Sequence, residues 1–196
     1  VVVEATNSAG TTPQSYAISI AGIAPTITST AVLTATCGQL YSYDVESDGY
    51  PAATYSLTTF PTGMTIDPLT GLIEWMPDDG GDYGVVVEIT NGYGSDTQPF
   101  TITVSGVAPS ITSTAVITAT YDQAYSYDVE ADACPAATYS LTTFPTGMTI
   151  DDGTGVISWI PDGVGDYSVV VEATNAYGSD SQPFTITVSG VAPNIT

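Results

Sequence analysis

The sequence of 196 residues contains no lysine, arginine or histidine, although it contains 21 aspartate and glutamate residues. Side chains therefore cannot form ion pairs, and the cationic groups that bind phosphate or nucleic acid are missing. General acid–base catalysis most often uses histidine, lysine or a tuned carboxylate, so the composition argues against an enzyme. A uniform negative charge also repels nucleic acids and anionic membranes, which leaves divalent cations as the favoured charged partners.

The sequence is also short of cysteine and of long apolar runs. Two cysteines are too few for a disulfide-rich scaffold, and their spacing fits neither a zinc site nor a redox pair. The apolar runs are too short to span a bilayer. What the sequence does contain is 43% hydrophobic and 10% aromatic residues, together with 50 serines and threonines. This composition predicts folded domains, one or two by length, whose solubility comes from hydroxyl and carboxylate groups.

An internal repeat organises the chain. Residues 23–106 align without a gap on residues 107–190, and 64 of the 84 positions are identical. Residues 1–22 match the end of that unit, so we expect them to be the C-terminal strands of a preceding repeat, and residues 191–196 restart the motif as the beginning of a following one. Either the chain is a stretch of a longer array, or neighbouring chains complete its two ends by strand addition.

Within each unit, apolar and polar residues alternate with a period of two. In one segment Tyr41, Tyr43 and Val45 alternate with polar side chains, and turn-forming stretches rich in Gly, Pro, Asn and Asp separate several such segments. The pattern contains no helical period of useful length. It predicts an all-β fold of tandem immunoglobulin-like β-sandwich domains, with about seven short antiparallel strands in each domain.

Each unit carries a series of short motifs, which in residues 23–106 read YSYDVE, PAATYSL, PTGMTID, TGLIEWMP, GDYGVVVEITN and QPFTITV. The sequence is similar to the putative Ig-like and dystroglycan-type cadherin-like modules that occur in tandem in large prokaryotic cell-surface or extracellular proteins. This resemblance implies an extracellular array with spacer, adhesive or structural duty and without catalytic residues. The junctions read AGIAP and SGVAP and lack the acidic linker of calcium-dependent cadherins.

The aromatic residues of the strands suit a structural role. Trp75 and Trp159 alternate in phase with inward-facing isoleucines, which predicts core positions, whereas exposed tryptophans at these positions would suit carbohydrate stacking. Tyr83 and Tyr167 follow a Gly-Asp step at the position of the tyrosine corner in Ig-type sandwiches. We therefore expect all four to be structural.

Outward tyrosines are expected in several loops. Tyr50, Tyr93, Tyr121 and Tyr177 are interpreted either as packing at the junctions between units or as adhesive contacts.

Two acidic loops are candidates for a calcium site. One carries Asp78, Asp79 and Asp82 and the other carries Glu130 and Asp132, and an Ig-like topology brings the base of the first unit towards the top of the second. Oxygen ligands without a nearby base suit Ca²⁺. Acidic turn residues are also common as simple solvated turn formers, so both interpretations stay open. We expect no other cofactor.

The two cysteines fall at the same predicted junction. The first strand runs down to Cys37 at the base of one unit, while a strand of the next unit runs up to Cys134 in its top loop. This placement predicts an interdomain disulfide that would stabilise the fold by about 4 to 5 kcal/mol. The alternative is two unpaired or intermolecular thiols.

Together these features favour a non-catalytic structural repeat of an extracellular filament, sheath or surface fibre. The alternatives are the spacer stalk of a cell-surface adhesin and, third, a calcium- or carbohydrate-binding module. The expected partners are other copies of the chain or adjacent repeats, with surface glycans as a further possibility, and no nucleic acid. Asn194 begins an N-I-T pattern that is typical of a glycosylation site in a secreted protein.

Overall fold

The computed structural model describes residues 1–190, so Asn194 and the expected start of a following repeat at 191–196 lie outside the described residues. Strands and turns make up the described chain, and it contains no helix that is long and apolar enough to cross a membrane. The expected all-β fold is confirmed. The chain begins with a hairpin of β1 (Val2–Asn7) and β2 (Gly10–Ser15), followed by two units that we call unit 1 (residues 23–106) and unit 2 (residues 107–190).

The two units have the same strand order. Unit 1 contains β3 (Ile23–Ile27), β4 (Thr34–Thr36), β5 (Tyr41–Asp44), β6 (Ser47–Tyr50), β7 (Thr54–Thr59), β8 (Thr65–Ile66), β9 (Leu72–Trp75), β10 (Gly81–Asn91) and β11 (Gly94–Ser105). Unit 2 contains β12 (Val107–Ile111), β13 (Thr118–Thr120), β14 (Tyr125–Asp128), β15 (Ala131–Cys134), β16 (Thr138–Thr143), β17 (Thr149–Ile150), β18 (Val156–Trp159), β19 (Gly165–Asn175) and β20 (Gly178–Ser189). Each unit has nine strands where about seven were predicted, because the first predicted strand is divided into β3 and β4 and the second into β5 and β6 in unit 1, with the same division in unit 2.

Each unit is a sandwich of two sheets. In unit 1 one sheet has the order β4-β11-β10-β7, and the other consists of β3-β6 together with β5-β9-β8. The strand pairs of unit 1 are antiparallel, as expected, except that β4 pairs parallel to β11. The first strand of the unit begins in one sheet and crosses to the other, where it runs in the same direction as the last strand. Both strands therefore end at the same end of the sandwich, which we call the base. The opposite end of the sandwich is the top.

The core lies between the two sheets and is built by the alternating side chains. Tyr41, Ile73 and Val87 come from three different strands and are all buried, as the period of two predicts. Burying one such side chain stabilises the fold by about 1.5 to 3 kcal/mol. The buried tyrosine still satisfies its hydroxyl group, because Tyr41 Oη donates to the carbonyl oxygen of Val32 at 2.8 Å.

A polar network ties the first strand region to both sheets. The hydroxyl of Tyr43 donates to Gln98 Oε1 at 2.9 Å, and Gln98 Nε2 donates to the carbonyl oxygen of Ser29 at 2.9 Å. Ser29 Oγ in turn lies 2.7 Å from the Tyr43 hydroxyl. Unit 2 repeats the arrangement with the corresponding residues. Every polar atom of the network has a partner, so burying it carries little penalty.

The hairpin at the start of the chain has the register of the last hairpin of a unit without its core. Val2 pairs with Ser15 just as Val86 pairs with Pro99, 84 positions later. In the hairpin Val3 is 50% exposed, whereas the corresponding Val87 is fully buried. Beyond the end of β2, the backbone N–H of Tyr16 donates to the carbonyl oxygen of Val1 at 3.0 Å.

Candidate functional site at the joint between the two units

A single residue connects the units. The last strand of unit 1 ends at Ser105 and the first strand of unit 2 begins at Val107, so only Gly106 separates them. The junction motif SGVAP predicts a short stiff joint, and the structure shortens it further because strands run up to both sides of the glycine. One residue leaves little freedom for the two units to swing independently.

A tyrosine of unit 2 fills the space at this joint. Tyr177 lies in the turn between β19 and β20, and its ring packs against Gly106 so closely that a Cβ atom there would overlap the ring. The Tyr177 hydroxyl reaches Gly80 at the base of unit 1, where a Cβ atom would also overlap it. Both glycines are therefore needed for the close approach of the two units. At the entry to unit 1, Tyr93 packs against Gly22 in the same way.

An asparagine fixes the top of unit 2. Asn175 Nδ2 donates to the carbonyl oxygens of Val107 at 2.8 Å and of Pro135 at 2.9 Å. Its Oδ1 accepts a hydrogen bond from the backbone N–H of Tyr177 at 2.8 Å. One side chain thus holds the incoming strand, the neighbouring loop and the turn that carries the joint tyrosine. Asn91 makes the same three bonds in unit 1.

A disulfide bond crosses the joint. Cys37 follows β4 at the base of unit 1 and is buried, and Cys134 ends β15 at the top of unit 2. The structure pairs these two cysteines, with their Cα atoms 5.7 Å apart and 97 positions apart in sequence. The backbone N–H of Cys37 donates to the carbonyl oxygen of Ser105 at 2.9 Å, which anchors the cysteine to the last strand of its unit. Cys134 pairs in the ladder with Val107, so each cysteine is anchored to a strand of its own unit.

The acidic loops meet near the joint but do not form a ligand cluster. Asp82 Oδ1 accepts a hydrogen bond from Thr103 Oγ1 at 2.7 Å, and Asp79 Oδ1 accepts one from the backbone N–H of Gly80 at 2.7 Å. These bonds turn two of the proposed ligands towards their own unit. Across residues 1–190 there is no group of three or more His, Cys, Asp or Glu side chains that could hold a metal ion.

Of the remaining calcium candidates, Asp78 offers its carbonyl oxygen 3.7 Å from the sulfur of Cys134. Since a disulfide sulfur carries no proton, this is a packing contact rather than a hydrogen bond. Glu130 and Asp132 lie exposed on the other side of the joint. The base of unit 1 and the top of unit 2 therefore approach each other as the topology predicts, but the five candidate carboxylates do not converge on one point.

The structural aromatics connect the core to the base. Trp75 and Trp159 are each 3% exposed, and Tyr83 packs edge-on against Trp75 with 4.9 Å between ring centroids. Tyr167 packs on Trp159 at the same distance. The Tyr83 hydroxyl donates to the carbonyl oxygen of Asp79 at 3.3 Å. Burial, followed by the charges of Asp79 and Asp78, raises the pKa of Tyr83, so its hydroxyl keeps the proton of this hydrogen bond beyond the pH at which an ordinary tyrosine ionises.

Sequence reasoning did not identify several residues that position the joint. Asn91 and Asn175 stand before the G-Y-G and A-Y-G turns, and an asparagine before such a turn is a known signal for a side chain that bonds its own turn. Asp96 and Asp180 each accept the backbone N–H of an isoleucine in the first strand, at 2.9 and 2.8 Å. These bonds run between residues 69 positions apart, so no local pattern reveals them.

The sequence matches the model of the family described as "Putative Ig domain" twice, over residues 24–105 and 108–189. None of the curated proteins matches the sequence. Among solved structures, titin domains A168–A170 match with a TM-score of 0.57 and 15% identity over 86% of this chain and 67% of that chain. Sidekick-1 immunoglobulin domains 1–5 match with a TM-score of 0.51 and 17% identity over 85% of this chain and 40% of that chain.

An endo-fucoidan hydrolase of glycoside hydrolase family 107 also matches, with a TM-score of 0.52 and 18% identity. The match covers 97% of this chain but only 34% of the hydrolase, so this chain spans about a third of its length. At these identities the likeness shows the fold alone. The family match confirms the resemblance to Ig-like modules. Tandem Ig-like domains are typical of non-catalytic parts of proteins, and they are common in extracellular or surface proteins.

Proposed function

We propose that this chain, which belongs to the "Putative Ig domain" family, is a non-catalytic structural spacer that holds two Ig-like units at a fixed angle in an extracellular fibre. The observation that carries the proposal is the joint. A one-residue connection, a tyrosine seated on two glycines and a disulfide bond all restrain the same junction. A joint built in this way transmits orientation from one unit to the next, which is what a spacer requires.

The disulfide also supports an extracellular or cell-surface location. Disulfide bonds persist in oxidising compartments and are rare in reducing ones. The acidic, hydroxyl-rich surface suits a protein that is surrounded by water and that does not bind nucleic acid.

Within this function, the structural repeat of a filament, sheath or surface fibre is the first choice, with adjacent repeats or further copies as partners. The register of the β1–β2 hairpin supports a repeat array, because it matches the register of the β10–β11 hairpin 84 positions later. We propose that this hairpin is the last pair of strands of a preceding repeat. The first strands of that repeat, supplied by the same polypeptide or by a neighbouring copy, would cover its apolar face.

The second candidate is the spacer stalk of an adhesin. The end-to-end arrangement of the two units favours it, since such an arrangement extends a chain in one direction. Filament and stalk differ in the association of copies: a filament subunit pairs its ends with other chains, and a stalk segment stays monomeric.

Light scattering on a sizing column, combined with small-angle X-ray scattering, tests these proposals. The 12-residue strand β11, at about 3.3 Å per residue, gives about 40 Å per unit and so a rod of about 80 Å for two units. A monomer of 20.1 kDa with a radius of gyration near that of such a rod, about 25 Å, favours the stalk. Concentration-dependent polymers of the same rods favour the filament.

A compact particle, with the radius of gyration of about 16 Å expected of a single globule of this length, would contradict both forms of the proposal.

A further inference from the structure

We propose that the Cys37–Cys134 bond carries tension across the joint and removes residues 38–133 from the path of the load. This inference rests on the spacer function proposed above and assigns a mechanical role to its joint. When the ends of the chain are pulled, force follows the shortest covalent route. With the disulfide intact, that route runs from the start of the chain to Cys37, across the bond, and onward from Cys134.

The bypassed segment contains nearly all of the core of unit 1. Apart from Cys37 itself, the buried core residues of this unit lie within residues 38–133. They include Trp75 and the inward side chains of β5, β9, β10 and β11. A force that passes through the disulfide therefore does not extend the part of the chain that folds unit 1.

The first strand region of unit 1 acts as a strap alongside this core. At the top, Ile23 is held by Asn91, whose Nδ2 donates to its carbonyl oxygen at 2.8 Å. At the base, Cys37 is held by Ser105. The 14 positions that separate Ile23 from Cys37 reach at most about 50 Å when fully extended, against about 40 Å for the length of the unit. The strap has little slack, so it transmits load after lengthening by about 10 Å at most.

Unit 2 is loaded differently. Only its strands up to β15 lie inside the bypassed segment, while β16 to β20 lie outside it. Much of its core, including Ile157, Trp159 and Val169, therefore remains in the load path. The two units therefore respond differently to the same force: unit 1 stays folded under tension, and unit 2 is the part that unfolds and extends.

Single-molecule force spectroscopy on the full chain tests this inference. The handles are protein tags fused to the two termini, which leaves the cysteines untouched. Reduction frees the chain between the two cysteines, which are 97 positions apart, at about 3.4 Å per position, so the fully extended chain should become about 330 Å longer than in the oxidised form. The oxidised chain should show one major unfolding step, from unit 2, and the reduced chain should show two.

A matched control is available within the chain. Unit 2 carries Tyr121 at the position that corresponds to Cys37 of unit 1, and unit 1 carries Tyr50 at the position that corresponds to Cys134 of unit 2. The double variant C37Y/C134Y therefore uses side chains that each position already accommodates in the repeat, and C37A/C134A is a second variant in case the tyrosines do not fit. Both should behave like the reduced protein with or without reductant.

Two results would overturn the inference. The first is an oxidised chain whose extended length equals that of the reduced chain, and the second is an oxidised chain with two major unfolding steps. Neither result would touch the spacer proposal, because the scattering measurement of rod shape is independent of how the chain unfolds.

Discussion

The two units offer a natural comparison at one core position, where Ile89 of unit 1 aligns with Ala173 of unit 2. Both residues are completely buried, and each pairs across the ladder with a tyrosine, Tyr55 in unit 1 and Tyr139 in unit 2. Ile89→Ala would give unit 1 the side chain that unit 2 already has. Because unit 1 has packed around the larger side chain, we expect the substitution to destabilise unit 1.

The size of the effect follows from the atoms removed. Three carbon groups at about 0.8 kcal/mol each account for about 2.4 kcal/mol of lost burial. An unfilled cavity adds to this, and buried Ile→Ala substitutions cost about 2 to 5 kcal/mol in total. We expect unit 1 to lose about 3 kcal/mol, which lowers the melting temperature of a domain of this size by about 12 to 24 °C.

Each unit contains a single tryptophan, so the two unfolding transitions can be followed separately. In a W159F background the fluorescence reports on Trp75 of unit 1, and in a W75F background it reports on unit 2. Urea denaturation with reductant present prevents the cross-link from coupling the units. A loss below about 1 kcal/mol in unit 1, or an equal loss in unit 2, would refute the packing argument.

The reverse substitution is the control. Ala173 is completely buried in unit 2, so an isoleucine at this position has to displace core side chains that already surround it. Ala173→Ile should therefore overpack unit 2 and destabilise it by about 1 to 3 kcal/mol. A gain in stability would show that unit 2 retains an open cavity.

Three further predictions concern the joint and the response to pH. Gly106→Ala should displace the ring of Tyr177 and loosen the joint, seen as a broader distance distribution in X-ray scattering, whereas Gly92→Ala, with open space around it, should change nothing. Burial, followed by the charge of Tyr127, raises the pKa of Tyr125 to about 12. The contribution of Tyr125 to stability is therefore complete below pH 10 and should be lost as the pH rises from about 10 to 12. Alkaline unfolding that Tyr125→Phe leaves unchanged would contradict this prediction. Backbone N–H groups of its own turn lower the pKa of Asp151, so its contribution to the stability of the fold is present above about pH 4 and should fall at lower pH. In an acid titration, the Asp151→Asn variant should therefore lose less stability between neutral and low pH than the parent protein.

The sequence predicts the parts of the structure that depend on local pattern. The alternation around Tyr41, Tyr43 and Val45 identifies side chains that are buried, and the phase of Trp75 matches its place in the core. The direction of the strands also brings the two cysteines to the same junction. In these cases periodicity and topology carry the prediction, because neither depends on the detailed packing of side chains.

Other features depend on contacts between distant residues. The parallel pairing of β4 requires the first strand to change sheets, and no residue near it signals the change. The role of Gly80 becomes visible only when Tyr177 of the other unit is placed against it. The acidic loops illustrate the same point, since topology predicts that they approach each other, but hydrogen bonds within unit 1 determine where Asp79 and Asp82 point.

Nuclear magnetic relaxation of backbone amides in the full chain tests whether the joint fixes the two units at one angle. If the joint is rigid, amides of residues 23–106 and 107–190 should fit one rotational diffusion tensor, elongated along a common axis, as expected for a single particle of 20.1 kDa. Two independent tensors, each with the faster tumbling of a body about half that size, would contradict the account.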